Sequence, residues 1–402
     1  MSRTIWNFSS AGRLVFGCGA VRELAAIADR LSTRRLLILT DSNLVDAGIA
    51  QRVAQPLKSA GVDVILFDEG EPEPSFECAD RAIAAARECK PDAILGLGGG
   101  SNMDLAKITA AVFTHGGTYR DYFDFDNVPG PVVPLICVPT TAGTGSEVSH
   151  AAVLTDHENC TKVSTLSPYL RPTAAVVDPE LTVSCPPKPT ADSGIDALTH
   201  AVEAYLATYS TDLDVPAGTL FPYEGKFPLA DALAERAVAL IAEHLVTAVE
   251  QPQNIDARAG MSLAATLAGL AFSNAAVALV HAMEYPLGGA LHCSHGEGNG
   301  LLLPHVLRFV LPERTSELAR LAELLGVETG ALSIEDAAMN AITVVEELSR
   351  AVGVRSRIRD LGGRDEQLSE FAAKAFTIKR LMALTPRPVA ESDILKIYRA
   401  AF

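Results

Sequence analysis

Hydrophobic and polar positions follow two different patterns along the 402-residue chain. Up to about residue 185, short apolar runs are separated by stretches in which apolar residues recur with helical spacing. The runs predict strands at 35–40, 62–67, 93–97, 132–138 and 174–177, and the stretches between them predict helices at 45–60, 78–89 and 104–114. Strands that alternate with helices in this way predict a parallel sheet with helices on both faces.

The pattern changes at a proline-rich stretch, residues 186–189. Beyond it, long Ala- and Leu-rich segments with helical periodicity dominate, and the β-branched runs disappear. The predicted fold class is therefore α/β, with a Rossmann-like parallel-sheet domain over 1–188 followed by an all-helical domain over 189–402. An uncharged stretch over 259–283 predicts a buried core helix rather than a membrane span.

One segment, 209–228, interrupts the helical pattern with three prolines and several aromatic residues. A loop of this length inside a compact domain is usually functional or an assembly contact. We interpret it as a surface loop or a subunit contact, with a lid over a binding site as the alternative.

Composition limits the classes of partner. Lys and Arg number 33 against 49 Asp and Glu, which gives a formal net charge of −16. So acidic a surface repels nucleic-acid backbones and anionic lipids, and we expect neither nucleic-acid nor membrane partners. The seven cysteines form no C-x-x-C pair, and the N-terminus has no apolar signal region, so we expect a reducing, cytoplasmic location.

Two polar loops that follow predicted strands have the composition of a nucleotide-binding site. In the first, Gly98, Gly99 and Gly100 precede a helix start, where backbone N–H groups attract an anion such as a diphosphate. A tight strand-to-helix turn explains these glycines equally well. The second loop, 139–147, carries hydroxyl groups suited to a polar cofactor, on Thr140, Thr141, Thr144 and Ser146.

Asp41 follows another predicted strand, where its carboxylate can accept a hydrogen bond from a ribose 2′-hydroxyl. A carboxylate there repels a 2′-phosphate, which favours NAD over NADP. The alternative role for Asp41 is a helix cap.

A carboxylate and three imidazoles in the second half of the chain have the composition of a metal site. Asp196 and His200 stand at i and i+4 of a predicted helix and therefore share a face. His281 closes the uncharged stretch, and His295 follows fourteen residues later. Taken alone, Asp196 and His200 are explained equally well as an exposed ion pair, and His281 as a histidine of the core. Together they suit Fe, Zn, Ni or Cu, without selecting strongly among these metals.

These residues lie in motifs that resemble the iron-containing (group III) alcohol dehydrogenase family over nearly the whole chain. The motifs are Gly98-Gly-Gly-Ser101-x-x-Asp104, Pro139-Thr-Thr-Ala-Gly-Thr-Gly-Ser-Glu-Val148, Gly194-x-Asp196-Ala-Leu-x-His200-Ala-x-Glu203, His281-x-Met-x-x-Pro286-Leu-Gly288 and His295-Gly296.

The resemblance implies a dehydroquinate synthase-like architecture, with a first domain that binds NAD and a second that binds the metal and the substrate. It implies Fe²⁺, with Zn²⁺ or another divalent ion as alternatives. The implied metal ligands are Asp196, His200, His281 and His295. The positions implied to line the dinucleotide are Asp41, Gly98, Gly99, Gly100, Ser101, Asp104, Thr140, Thr141, Thr144 and Lys162.

Two departures from the family pattern affect candidate site residues. Many members have a second histidine, assigned to proton transfer, four residues after the third ligand, and this chain has Tyr285 there. The candidates for the proton relay are therefore Tyr285, His292 or a water molecule. Glu73 replaces an asparagine that is common near the nicotinamide, so Glu73 joins the expected cofactor contacts.

The resemblance implies reversible hydride transfer between NAD(H) and a small alcohol, aldehyde or hydroxyacid, by a homodimer or higher homo-oligomer. One alternative is a hydroxyacid–oxoacid transhydrogenase, whose members also carry an insertion and a tyrosine at the Tyr285 position. Another is an NAD-dependent lyase of the dehydroquinate synthase type. Against the lyase, the chain lacks the Lys- and Arg-rich phosphate pocket that such substrates need.

Overall fold

The computed structural model describes residues 5–158, 161–215 and 221–402. The chain divides into two compact units, one formed by Ser9–Cys185 and the other by Pro186–Phe402 with residues 5–8. The predicted first domain, 1–188, includes residues 5–8. They belong to the helical unit because the Trp6 ring stacks on Phe227, with ring centroids 4.5 Å apart.

The first unit is built around a parallel sheet. Its described strands are β1 (Leu14–Phe16), β2 (Arg35–Leu39), β3 (Asp63–Phe67), β4 (Ala93–Gly98), β5 (Asp124–Phe125), β6 (Leu135–Pro139), β7 (Ala151–Asp156), β8 (Thr161–Leu166) and β9 (Ala174–Val177). Six of them form one sheet in the order β1–β9–β6–β4–β2–β3, with every pair parallel. β4 and β6 are buried along their whole length, and their carboxyl ends lead into the two polar loops. The predicted α/β class is confirmed.

Five helices accompany these strands: α1 (Leu24–Arg30), α2 (Ser42–Asp46), α3 (Ile49–Ser59), α4 (Phe76–Cys89) and α5 (Gly100–His115). The prediction of a single helix over 45–60 was wrong. Gly48 adopts a left-handed conformation with φ of 73° and separates α2 from α3. α5 begins at Gly100, one turn earlier than predicted, so the glycine loop is part of the helix start.

A second, three-stranded sheet in the order β5–β8–β7 was not predicted. β7 pairs antiparallel with β8, and β5 pairs parallel with β8. β8 mixes Thr, Ser and Lys162 with its apolar residues and forms no apolar run, whereas β7 does begin with four apolar residues, 151–154. Their hairpin packs against α5, where the Val153 N–H donates to Asp104 Oδ2 at 3.0 Å.

The second unit consists of helices and the loops that connect them, and it has no strand among its described residues beyond one isolated bridge. Its helices are α6 (Pro187–Leu206), α7 (Pro228–Glu250), α8 (Ile255–Phe272), α9 (Leu279–Leu291), α10 (His295–Val310), α11 (Thr315–Leu324), α12 (Ile334–Ala351), α13 (Leu368–Phe376), α14 (Lys379–Leu384) and α15 (Glu391–Ala400). No helix in the described part of the chain is both long and apolar enough to cross a bilayer. The single helix predicted over 259–283 is instead the end of α8, a non-helical stretch at 273–278 and the start of α9.

The proline-rich segment 209–228 includes residues 216–220, which lie outside the described residues. At its described ends Tyr209 forms a bridge with Lys226. The buried Lys226 ammonium donates to the Tyr205 carbonyl and pairs with Asp231, both at 2.8 Å. These contacts fix both ends to the helical unit, and the role of the segment stays a prediction.

Candidate metal centre and nucleotide-binding loops

α6 carries the first two predicted metal ligands on one buried face. Asp196 and His200 are one turn apart, and the His200 Nδ1 atom lies 3.8 Å from the Asp196 Oδ2 atom. The His200 ring stacks on Phe272 of α8 on one side, with ring centroids 4.1 Å apart. It also stacks on His281, with centroids 4.7 Å apart. The helical spacing therefore brings His200 beside the other candidate ligands, as the pattern predicts.

α9 and α10 supply the remaining two ligands. One ligand atom each of Asp196, His281 and His295 lies within 4.8 Å of the other two. Asp196 and His281 are buried, whereas the His295 side chain is 30% exposed. The structure thus brings together a carboxylate and two imidazoles that are far apart in sequence. His200 lies against this group through its ring contact with His281.

Glu203 explains why α9 begins where it does. Its carboxylate accepts the N–H groups of Ala278 at 3.0 Å and Val280 at 2.6 Å, at the free end of the helix. The same carboxylate contacts His281 Nδ1 at 2.5 Å. One buried side chain of α6 therefore both starts α9 and orients a ligand that α9 carries.

α10 begins at His295 because Ser294 caps it. The Ser294 hydroxyl accepts the Glu297 N–H at 3.3 Å and donates to Asp192 Oδ2 of α6 at 2.6 Å. The helices approach closely at Gly296, where a Cβ atom would lie 2.0 Å from the Asp192 carbonyl oxygen. Only glycine fits there, which places His295 beside Asp196.

Two polar residues of the centre were missed by the sequence analysis. Glu284 of α9 is fully buried and contacts His295 Nδ1 at 2.5 Å. Asn299 of α10, also fully buried, donates its amide to Asp196 Oδ1 at 2.8 Å. Asn299 stands four residues after His295, so helical spacing alone could have placed it on the same face.

The donor set fits a divalent transition metal. Burial acts to raise the pKa of Asp196, but the three neighbouring imidazoles and the Asn299 amide outweigh burial and lower that pKa. Asp196 is therefore ionised at neutral pH. A carboxylate with two or three imidazoles in a buried cluster is a chemically suitable ligand set for Fe²⁺ or Zn²⁺.

The two polar loops of the first unit pack directly on each other. A Cβ atom on Gly100 would lie 2.9 Å from the Thr144 methyl carbon, and one on Gly99 would lie 3.5 Å from the Thr141 hydroxyl. Gly98 has a φ of +142°, and a Cβ atom there would lie 2.3 Å from the Asn102 amide. Packing of the loops therefore accounts for part of the glycine content. Gly99 has no side chain to cap α5, so the first-turn N–H groups suit an anion.

Lys107 holds the second loop against α5. Its fully buried ammonium donates to Ser146 Oγ at 2.7 Å, to Ser149 Oγ at 3.1 Å and to the Ala151 carbonyl at 2.7 Å. The Ser146 hydroxyl donates to Asp104 Oδ1 at 2.6 Å. Burial lowers the pKa of Lys107 and raises the pKa of Asp104. Asp104 and Ser146 thus brace the loops, and their contact with a cofactor stays a prediction.

Further predicted cofactor contacts lie beside these loops. Asp41 caps α2 by accepting the Leu44 N–H at 3.2 Å, as the alternative prediction had it, and it also accepts the Asn102 amide at 2.8 Å. The Thr140 N–H donates to the Gly98 carbonyl at 2.9 Å, and this hydrogen bond connects the first residues of the two loops. Lys162 forms an ion pair with Glu73, a contact between two predicted cofactor residues that was not itself predicted.

The two proton-relay candidates lie in different environments. Tyr285 is half-buried one turn after His281, and its ring centroid lies 6.2 Å from that of His295. His292 is exposed at the end of α9 with a left-handed φ of 53°. Tyr285 is therefore the candidate at the metal centre.

Comparison with known proteins gives a consistent result over both units. Residues 11–179 match the family model for iron-containing alcohol dehydrogenase, and residues 223–402 match its C-terminal family model. The chain is 38% identical to long-chain-alcohol dehydrogenase 1 of Geobacillus thermodenitrificans, covering 98% of this chain and 97% of that protein. It is 35% identical to the NAD-dependent methanol dehydrogenase of Bacillus methanolicus, covering 98% of this chain and 99% of that protein.

Among solved structures, 1,3-propanediol oxidoreductase is similar with a TM-score of 0.92 and 34% identity, covering 99% of this chain and 100% of that one. These matches favour neither the transhydrogenase nor the lyase alternative.

Proposed function

The chain belongs to the iron-containing alcohol dehydrogenase family, and from this premise we propose that it uses NAD(H) and Fe²⁺ to interconvert a small alcohol and its aldehyde. The observation that carries the proposal is the convergence of Asp196, His281 and His295 in a largely buried cluster on three helices. With seven cysteines and no C-x-x-C pair, a cytoplasmic location is part of the proposal.

In this proposal the helical unit holds the metal through Asp196, His200, His281 and His295. A divalent cation, when bound, supplies Lewis acidity toward a substrate oxygen. Asp196 contributes a carboxylate oxygen to the site, and the three histidines contribute ring nitrogens. Zn²⁺ suits the same donors, so the choice of Fe²⁺ rests on the family.

In the same proposal the first unit holds the dinucleotide. NAD(H) supplies the hydride chemistry. The first-turn N–H groups of α5, with Ser101 and the threonines 140, 141 and 144, bind its diphosphate and neighbouring hydroxyls. Asp41 binds the ribose and excludes a 2′-phosphate, and Glu73 and Lys162 contact the cofactor beside Ser101.

Tyr285 is the proposed proton relay, because its ring lies near that of His295 and a phenol hydroxyl can both accept and donate a proton. The exposed His292 is the proposed second residue of this relay and passes the proton to solvent. For the substrate we propose a small primary alcohol. Two relatives are named for such substrates, methanol and 1,3-propanediol, whereas a third is named for long-chain alcohols.

The proposal is tested by purifying the protein without oxygen, measuring its metal content, and assaying NADH formation with a panel of primary alcohols and hydroxyacids. We expect close to one Fe per chain and NADH formation with at least one primary alcohol. Metal-loaded protein that forms no NADH with any of them contradicts the proposal.

His281→Ala is the sharpest single variant. We expect the loss of one buried imidazole to abolish both metal retention and turnover, because three ligands remain on two helices only. Elemental analysis and the NADH assay measure the two effects. The matched control is His157→Ala, which removes an exposed histidine after β7 and should change neither. Full activity of the His281→Ala variant refutes the ligand assignment.

A further inference from the structure

His281 of α9 and His295 of α10 each face a buried carboxylate, and both do so through Nδ1. His281 Nδ1 lies 2.5 Å from Glu203 Oε2, and His295 Nδ1 lies 2.5 Å from Glu284 Oε2. An ionised carboxylate can only accept hydrogen bonds. Each Nδ1 is therefore the donor in its contact, which leaves Nε2 as the ring nitrogen that can bind an ion.

The two Nε2 atoms meet at the Asn299 amide nitrogen. It lies 3.3 Å from His281 Nε2, 3.2 Å from His295 Nε2 and 2.8 Å from Asp196 Oδ1. The Asp196 carboxylate can only accept a hydrogen bond, so the amide turns its NH₂ group toward Asp196 Oδ1 and toward the two Nε2 atoms beside it. This orientation agrees with the two glutamate contacts, in which Nδ1 is the donor.

The Asn299 amide oxygen has no hydrogen-bond partner within the described residues, although it is buried. An unpaired buried oxygen is destabilising, so the NH₂ contacts are what hold the amide at this point. Asn299 thus marks a position toward which a carboxylate oxygen and two lone pairs already point.

We propose that Glu203, Glu284 and Asn299 are positioning residues of the metal centre. The two glutamates keep the histidine protons on Nδ1, and Asn299 keeps Asp196, His281 and His295 converged. Metal affinity therefore depends on three residues that are not ligands. The inference rests on the proposed function only in taking this cluster as the metal site.

Glu284 gives the cleanest test, because Glu203 also starts α9 and its loss would disturb the helix. Two variants of Glu284 separate hydrogen bonding from packing. Glu284→Leu removes the acceptor for His295 Nδ1, whereas the amide oxygen of Glu284→Gln preserves it. The matched control is Glu346→Leu, which removes a glutamate that pairs with Arg308 instead.

The measurement is the dissociation constant for Zn²⁺ and Co²⁺ in metal-stripped protein, by competition with a chromophoric chelator. The visible spectrum of the Co²⁺ form reports the ligand geometry without any turnover. We expect Glu284→Leu to weaken binding by about 10–100-fold and to change the Co²⁺ spectrum, the range typical for lost partners of metal-binding histidines. Glu284→Gln and the control should stay within about threefold of the parent protein.

Unchanged affinity in Glu284→Leu overturns the proposal. Equal losses in the Leu and Gln variants overturn it as well, because the Gln variant keeps the hydrogen bond. If Glu284→Leu fails to fold, Asn299→Ala provides the same readout, with a loss of about tenfold or more expected and an unchanged constant contradicting the proposal. A parent protein that binds neither cation overturns the proposed function and this inference together, which distinguishes that failure from the others.

Discussion

Glu73 adopts a backbone conformation that glutamate rarely takes. Its φ of 52° lies in the left-handed region, which Gly and Asn tolerate better. Two contacts hold it there: its N–H donates to Ser101 Oγ at 3.0 Å, and its carboxylate pairs with Lys162 at 2.8 Å. The Lys162 side chain is largely buried, so Glu73 neutralises a cation beside the glycine loop. Glu73 therefore offsets the positive charge of Lys162 in the proposed cofactor site.

Glu73→Gln should strengthen NADH binding. The substitution leaves Lys162 without its carboxylate partner, which increases the attraction for the anionic dinucleotide. Because Glu73 is partly exposed, we expect a modest two- to fivefold decrease in Kd, roughly the range of exposed ion pairs, that shrinks as salt increases. Fluorescence titration with NADH measures it.

The control for that variant is Glu77→Gln, which removes an exposed carboxylate of α4. It should leave the Kd unchanged. A weaker NADH affinity in Glu73→Gln would show that Glu73 itself binds the cofactor more strongly than it shields Lys162.

At the level of single residues, the metal ligands could be predicted from the sequence, whereas the residues that hold them in place could not. The four predicted metal ligands stand out because a carboxylate combined with several imidazoles is typical of a metal site. Glu284 and Asn299 do not, because their meaning comes from contacts with other helices. The same holds for Lys107, whose buried ammonium resembles any helical lysine until β7 and the second loop fold over it.

Lys107 joins three pieces of the first unit: α5, the loop after β6 and the start of β7. Lys107→Met should destabilise the protein by about 3–5 kcal/mol. The substitution leaves Asp104 as a buried carboxylate without its cation, and it leaves three hydrogen-bond acceptors without their donor. Urea unfolding measures the change in the free energy of unfolding. We also expect a higher KM for NAD, because the second loop loses its anchor.

The control is Lys58→Met at the exposed end of α3, with an expected change below about 0.5 kcal/mol. A Lys107→Met protein as stable as the parent would mean that Asp104 takes up a proton at no cost, and the bracing role would be wrong.

At the level of elements, apolar runs predicted the buried strands well, because β2, β4, β6 and β9 are covered on both faces and need apolar residues throughout. The hairpin of β7 and β8 was missed because β8 mixes polar and apolar residues, which left the four apolar residues of β7 without a predicted partner strand. The break at 273–278 was missed because it has no charge or proline. Its cause is Glu203, which lies some 70 residues earlier in the chain.

For the whole molecule, we propose a homo-oligomer assembled through β1. This strand forms one edge of the six-stranded sheet and exposes Leu14 and Phe16, each 39% accessible. An exposed apolar edge strand favours pairing with a second copy. Light scattering should therefore give at least twice the chain mass of 42.4 kDa.

Phe16→Lys should lower that mass to a single chain by placing a charge on the edge. Leu66→Lys is the control, because it alters an exposed residue of β3 on the opposite edge. A parent protein of one chain mass contradicts the assembly, and dissociation by the control alone places the contact on the other edge.

Metal removal should leave the secondary structure intact. The helices of the second unit are held by buried apolar side chains and by protein caps such as Ser294 and Glu203. We expect the far-ultraviolet circular dichroism of chelator-treated protein to match that of the untreated protein, while its melting temperature falls through the loss of bound ligand. Collapse of the helical signal on chelation would contradict this.

The double role of Glu203 has a consequence for the order of events in the maturing protein. The first turn of α9 has no carboxylate to receive its N–H groups until α6 is alongside, so His281 acquires its orientation only when the two helices have docked. Assembly of the polypeptide therefore comes first and capture of the ion second, the reverse of small zinc modules whose chain stays unstructured until the ion arrives.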